Sequence, residues 1–147
     1  MTDEQLIAAA RAAALKAYAP YSNFSVGCAI LSVDCAVVTG ANVENACYRL
    51  GVCAELSALS AAQANFGLTN IARIVVAGGD GSGPDLAGKA NVTPCGGCRQ
   101  SILEAAQLSG RDIEILCASG DGMQVKRHRI NDLIPHGFGP ANLADAG

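Results

Sequence analysis

Charge is scarce in this chain: only 16% of its 147 residues are charged, and the formal net charge is −3. A nucleic-acid partner or an anionic membrane surface requires a basic face, so neither is expected. No apolar run approaches the roughly 20 residues needed to cross a bilayer. The opening Met1-Thr2-Asp3-Glu4 is acidic and leads straight into a helical pattern, unlike a secretory leader. Internal repeats, low-complexity tracts and linkers are missing as well, so the chain reads as a single domain over 1–147. Half the residues are apolar, which is enough for a core, and the low charge leaves surface expected to be buried against other subunits. Cysteine is the exception to this plainness. Cys28, Cys35, Cys47, Cys53, Cys95, Cys98 and Cys117 form an odd set, which argues against a disulfide framework. Reduced thiols in the cytoplasm are expected, some in the core and some on a metal.

The patterning alternates between helix and strand. Residues 2–18 read as an amphipathic helix, with Thr2 and Gln5 as a capping-box pair and Pro20 beyond its end. Two β-rich runs, 24–33 and 36–43, flank Asp34-Cys35 as a hairpin. A helix is expected over 52–66, closed by Gly67, and a doubly buried strand over 71–77. The glycine-rich segment 80–93 reads as an exposed loop. A second internal helix follows over 95–108, then a strand over 113–118, a turn at Asp121-Gly122 and a short strand over 123–126. A short helix at 131–134 and a Gly/Pro-containing tail finish the chain. The order α-β-β-α-β-α-β-β predicts an α/β fold in three layers, with helices on both faces of a mixed five-stranded sheet.

The chemistry lies in Cys53-Ala54-Glu55 and Pro94-Cys95-Gly96-Gly97-Cys98. Cys53, Cys95 and Cys98 make three thiolate ligands for one Zn²⁺, and three protein ligands with an open fourth position mark a catalytic zinc. Both cysteine groups fall at expected helix starts, where the positive end of the helix stabilises negative sulfur. Pro94 suits a helix entry because its missing donor costs nothing there. Glu55 stands beside the open position as a proton carrier between a metal-acidified water and the substrate. A Cys-Gly-Gly-Cys pair alone also suits a redox dithiol, but that reading leaves Cys53 and Glu55 without work. A zinc-stabilised binding module without catalysis would carry the same ligands. Two histidines in reach of sequence, His128 and His136, sit in a charged strand end and a loop and receive no role.

The zinc motif is that of the zinc deaminases in an all-cysteine form. Together with Pro20-Tyr21-Ser22-Asn23-Phe24, Asn42-Val43-Glu44-Asn45-Ala46, Pro94-Cys95-Gly96-Gly97-Cys98-Arg99-Gln100 and Gly137-Phe138-Gly139-Pro140, it resembles the small homotetrameric cytidine deaminases. The matches run in family order along most of the chain. Asn-x-Glu-Asn is more specific than the zinc motif, because it separates deaminases of free nucleosides from relatives acting on polynucleotides. The resemblance implies hydrolytic deamination of cytidine and deoxycytidine in pyrimidine salvage, by a homotetramer with one zinc per chain. It implies that Asn42 and Glu44 bind the ribose hydroxyls and that Phe24 packs on the pyrimidine. Ala54 and Cys95 would contribute backbone hydrogen bonds to the base, and Tyr48 and Phe138 would reach the sites of neighbouring subunits. Arg99 either supports the site or simply stabilises the fold, and support is favoured.

Two positions depart from the family pattern. Leu56 stands where Arg usually follows Cys-Ala-Glu, and Arg49 stands where a small residue is usual. Cys-Ala-Glu-Leu also occurs in blasticidin-S deaminases, which keeps another aminopyrimidine compound open as substrate. Three thiolates leave a zinc site negative, so Arg49 is a candidate to direct its guanidinium to a thiolate of its own chain or a neighbour's; the alternative is a surface or interface residue in a weak salt bridge.

Overall fold

The computed structural model describes residues 1–144. Helix α1 (Asp3–Ala14) opens at Thr2, whose hydroxyl accepts from the Gln5 N–H while the Gln5 side chain accepts from the Thr2 N–H. The expected capping box is therefore made, although the helix stops four residues short of Tyr18. Strands β1 (Ser25–Ser32) and β2 (Val37–Ala41) form the hairpin. Then follow α2 (Ala54–Asn65), β3 (Ile71–Gly79), α3 (Gly96–Ser109), β4 (Glu114–Ser119), β5 (Val125–Arg129) and two short helices, α4 (Ile130–Leu133) and α5 (Pro140–Ala144). The sheet order is β2-β1-β3-β4-β5; β3 and β4 are parallel and the other neighbours antiparallel.

Alternation along the strands builds two cores. Cys28, Ile30, Ile74, Val76, Ile115 and Cys117 point to the face covered by α2 and α3. Ala29, Val75, Ala77, Leu116 and Ala118 point to the other face, against Leu6, Ala10 and Ala14 of α1. Each fully buried Ile, Leu or Val stabilises the fold by about 1.5–3 kcal/mol. This is the three-layer arrangement expected from the element order.

Segment 80–93 is a mostly exposed loop, as expected, with one buried anchor. Leu86 is 2% exposed and joins the α1-side core, and Arg11 donates from Nε to the Gly120 carbonyl (2.8 Å) and from its guanidinium to the Leu86 carbonyl (3.3 Å). Departures elsewhere have physical reasons. Strand β5 begins later than expected and continues through the charged run Lys126-Arg127-His128-Arg129. It pairs fully with β4, and its arginines are matched: Arg127 meets Asp3 and Glu114, and Arg129 meets Glu114. Helix α5 had no periodic signal, since its start is held by Gln107 Oε1 accepting from the Ala141 N–H (2.9 Å).

One contact sets the height of α2 over the sheet. A Cβ on Gly40 of β2 would lie 2.4 Å from the Ala58 nitrogen and 2.8 Å from the Ala54 carbonyl oxygen, so the helix backbone rests directly on the strand. Gly40→Ala must lift the helix, at a cost of about 1–3 kcal/mol. Urea denaturation should show that loss, and zinc retention should fall with it because Cys53 opens α2. Thr39→Ala, exposed on the same strand, supplies the baseline; a Gly40→Ala protein matching it in both readouts would contradict this packing role.

Candidate metal centre and pocket

Helices α2 and α3 begin at the same place. Cys53 is the N-cap of α2 and Cys95 the N-cap of α3, and Cys98 lies one turn into α3. Their sulfurs converge: Cys53 Sγ is 3.8 Å from Cys95 Sγ, and Cys95 Sγ is 3.4 Å from Cys98 Sγ. All three lie within 4.8 Å of one another. Zn–S bonds of about 2.3 Å in a tetrahedron separate sulfurs by about 3.8 Å, so the cluster fits zinc. No other group of three or more possible ligands is gathered this way among the described residues.

The electrostatics point the same way. Burial raises the thiols of Cys53 and Cys98, while the Cys98 N–H lowers Cys95. Two of the three sulfurs thus resist ionisation by themselves, and a shared cation is what makes the trio of thiolates favourable. Glu55, in the first turn of α2, is 4% exposed. Burial raises its carboxyl above the ordinary range, against the smaller lowering effects of its own N–H and the Cys98 thiol. Beneath the site, burial pushes the Cys117 thiol up to about 12. Cys28 and Cys117 belong to the apolar core and lie outside the sulfur cluster.

These groups border a cavity of about 160 Å³, lined by Val26, Asn42, Cys53, Ala54, Glu55, Val92, Thr93 and Cys95. It sits where β2 and β3 end and β1 begins, at the C-terminal end of the parallel pair β3–β4, the usual ligand end of such sheets. Asn42 is fastened to the backbone: Oδ1 accepts from the Val26 N–H (2.8 Å) and Nδ2 donates to the Phe24 carbonyl (2.9 Å). Glu44 lies in an adjoining depression with Tyr21, Ser22 and Tyr48. Its carboxylate accepts from the Tyr21 N–H (3.0 Å), the Ser22 N–H (3.1 Å) and the Ser22 hydroxyl (2.5 Å). The Ser22 hydroxyl and N–H, with the Tyr21 N–H, hold Glu44 below its usual value. Phe24 is half-exposed beside Val26 and Val92, near Gly78.

The structure therefore gathers Asn42, Cys53, Ala54, Glu55 and Cys95 around one cavity, with Cys98 at the sulfur cluster. Tyr48 and Phe138 are turned outward, 78% and 62% exposed, though Tyr48 stacks obliquely on Tyr21 with ring centroids 5.7 Å apart. Arg99 donates to the carbonyls of Pro94 (2.8 Å) and Leu133 (2.9 Å), tying the residue before Cys95 to α4. Arg49, in a 3-10 turn over Tyr48–Leu50, is exposed and reaches no thiolate of its own chain among the described residues. The expected link is thus not made within one chain, because the turn faces outward. Val26, Val92, Thr93 and Ser22 escaped the sequence reading. Ser22 stood in the Pro-Tyr-Ser-Asn-Phe segment, but its bond to Glu44 spans 22 positions and has no local signature.

Residues 1–109 match a family described as the cytidine and deoxycytidylate deaminase zinc-binding region. The cytidine deaminase of Mycobacterium tuberculosis strain H37Rv is 40% identical over 131 residues, covering 89% of this chain and 85% of that protein. That of Halalkalibacterium halodurans is 36% identical over 145 residues, 99% of this chain and 100% of the relative. The crystal structure of cytidine deaminase from Burkholderia pseudomallei superposes with a TM-score of 0.81 at 40% identity, over 94% of this chain and 100% of the other.

The cluster geometry makes a specific demand on the cysteines. Cys53→Ala should lose bound zinc and, with it, part of the thermal stability, because metal that binds only the folded state stabilises it. Cys28→Ala and Cys117→Ala should keep one zinc per chain by elemental analysis. Zinc lost from either core variant, or kept in Cys53→Ala, would overturn this ligand set.

Proposed function

The chain belongs to the cytidine and deoxycytidylate deaminase zinc-binding family, and on that premise we propose that it hydrolyses cytidine and deoxycytidine to the uracil nucleosides and ammonia. The observation that carries this reading is a buried carboxylate, Glu55, facing a small cavity beside three convergent sulfurs. Cys53, Cys95 and Cys98 would hold the zinc. Bound there, zinc supplies Lewis acidity that brings a water within reach of ionisation near neutral pH.

Glu55 is the proton carrier. It accepts a proton as water adds to C4 of the base and delivers that proton to N3. It then moves a second proton, from the new hydroxyl, to the departing amine, serving first as base and then as acid. Its burial keeps bulk water from competing for those protons. Asn42 has one lone pair and one N–H left after its two backbone bonds, and these serve a ribose hydroxyl. Glu44, oriented by Ser22 and Tyr21, accepts from a ribose hydroxyl as a charge-assisted partner. Phe24 covers the pyrimidine face, and the backbones of Ala54 and Cys95 bond the base edge.

Tyr48 and Phe138 complete neighbouring sites in a homotetramer. Their exposure supports this, as does an open groove of about 710 Å³ between α2 and α3 that leaves Leu56, Leu59 and Leu68 as apolar lining. The enzyme works in the cytoplasm, where reduced ligand thiols persist; all seven cysteines are free. A fully active monomer in sedimentation and dilution assays would refute the roles of Tyr48 and Phe138.

Ammonia release from a panel of cytosine, cytidine, deoxycytidine, deoxycytidine monophosphate and blasticidin-S tests the substrate. Both nucleosides should react well. The monophosphate should react poorly, because Glu44 repels a nearby phosphate. Glu55→Gln should lower kcat by at least about 10²-fold while keeping its zinc. Comparable turnover of nucleoside and monophosphate, or preferred turnover of blasticidin-S, would overturn the assignment. An unaffected Glu55→Gln would overturn the mechanism.

A further inference from the structure

Strand β3 ends in Gly78-Gly79, and Gly78 is wedged behind the pocket wall. A Cβ built on Gly78 would lie 2.9 Å from Val92 Cγ2, 3.2 Å from Phe24 Cε1 and 3.2 Å from Val26 Cγ2. Carbon neighbours settle at about 3.5–4.0 Å, so a methyl group there requires all three side chains to move. The backbone does not ask for glycine. Gly78 is absent from the positive-φ residues and sits in regular register between Val26 of β1 and Ser119 of β4. What the position lacks is room, and the room is taken by residues of the pocket. Val26 and Val92 line it together with Cys53, Glu55 and Cys95.

Those side chains have few ways to retreat. Val26 and Val92 are β-branched and stiff at χ1. The Val26 backbone is held by β1 pairing and by Asn42 Oδ1. Val92 is fixed between two anchors: Asn91 donates from Nδ2 to the carbonyls of Cys117 (2.8 Å) and Gln124 (3.0 Å), and Pro94 is buried on the other side. The open volume beside them is the pocket itself.

We propose that Gly78 is a specificity-determining residue: its missing side chain lets Phe24, Val26 and Val92 stand back against β3 and so sets the width of the slot that admits the pyrimidine ring. This rests on the cytidine reading, since it takes that slot to be the base site. Added bulk at Gly78 narrows the slot from behind, without touching Glu55 or the sulfurs.

The test compares Gly78→Ala, Val92→Ala and the double variant. Its readouts are cytidine KM and kcat, uridine Kd by calorimetry, and zinc content. Gly78→Ala should weaken both cytidine KM and uridine Kd by about tenfold, with zinc unchanged and kcat less affected. Val92→Ala weakens binding in the wild-type background but should restore it in the Gly78→Ala background, since it removes the nearest clash. An unchanged uridine Kd in Gly78→Ala, or losses that simply add in the double variant, would overturn the inference. If Gly78→Ala alone does not fold, the double variant against Val92→Ala decides. The double should bind uridine at least as tightly, because the new methyl fills the vacated space, and weaker binding overturns the inference. A wild-type protein that neither deaminates cytidine nor binds uridine would instead remove the cytidine reading, and this inference with it.

Discussion

Three thiolates gathered within 4.8 Å of one another repel unless a cation is shared among them, and the rest of the structure is arranged around that constraint. The chain meets it by starting two helices at one point. Cys53 and Cys95 each occupy an N-cap, and Cys98 follows one turn into α3. At those positions free backbone N–H groups and the positive ends of the helices face the sulfurs. Each helix end supplies only about half a charge, so the helices ease the crowding and the metal must complete it.

Two helices can share a starting point only if the sheet below delivers them there. The parallel pairing of β3 with β4 requires a crossover, and α3 is that crossover, leaving the C-terminal end of β3 through the segment anchored by Asn91. The edge position of β2, and the bare backbone of Gly40, let α2 lie low enough to place Cys53 beside the sulfurs of Cys95 and Cys98, with Glu55 next to it. Arg99 then ties Pro94 to α4, so the entry to α3 is held from the C-terminal side as well. The pocket is what remains between these supports. Cys53, Cys95 and the buried acid Glu55 form one wall, and apolar side chains backed by a bare strand end form another.

Much of this was legible in the sequence because the signals are local. Thr2 with Gln5, the apolar run 71–77 and the cysteine spacing each act within a few residues, and each element appeared where its pattern put it. What was missed involves partners distant in sequence. Segment 80–93 is the exposed loop expected, but its Leu86 is anchored by Arg11 and the α1-side core. The charged run 126–129 looked like a strand end, yet β4 and the carboxylates of Asp3 and Glu114 hold it as a full strand. For the site, Cys53, Glu55, Cys95 and Cys98 have chemically distinctive side chains, and the structure brings the three sulfurs within 4.8 Å of one another at a cavity lined by Glu55. Val26, Val92 and Gly78 matter through shape alone, and shape appears only after folding. For Arg49, the charge argument allowed a thiolate of its own chain or a neighbour's, and within one chain the outward-facing turn does not make the link.

The central claim is that these three sulfurs hold a zinc whose fourth position is left for chemistry. X-ray absorption at the zinc edge of the intact protein tests it directly. The account predicts three sulfur neighbours at about 2.3 Å and one lighter oxygen or nitrogen neighbour. Four sulfurs around the zinc, or a shell dominated by nitrogen and oxygen, would contradict it.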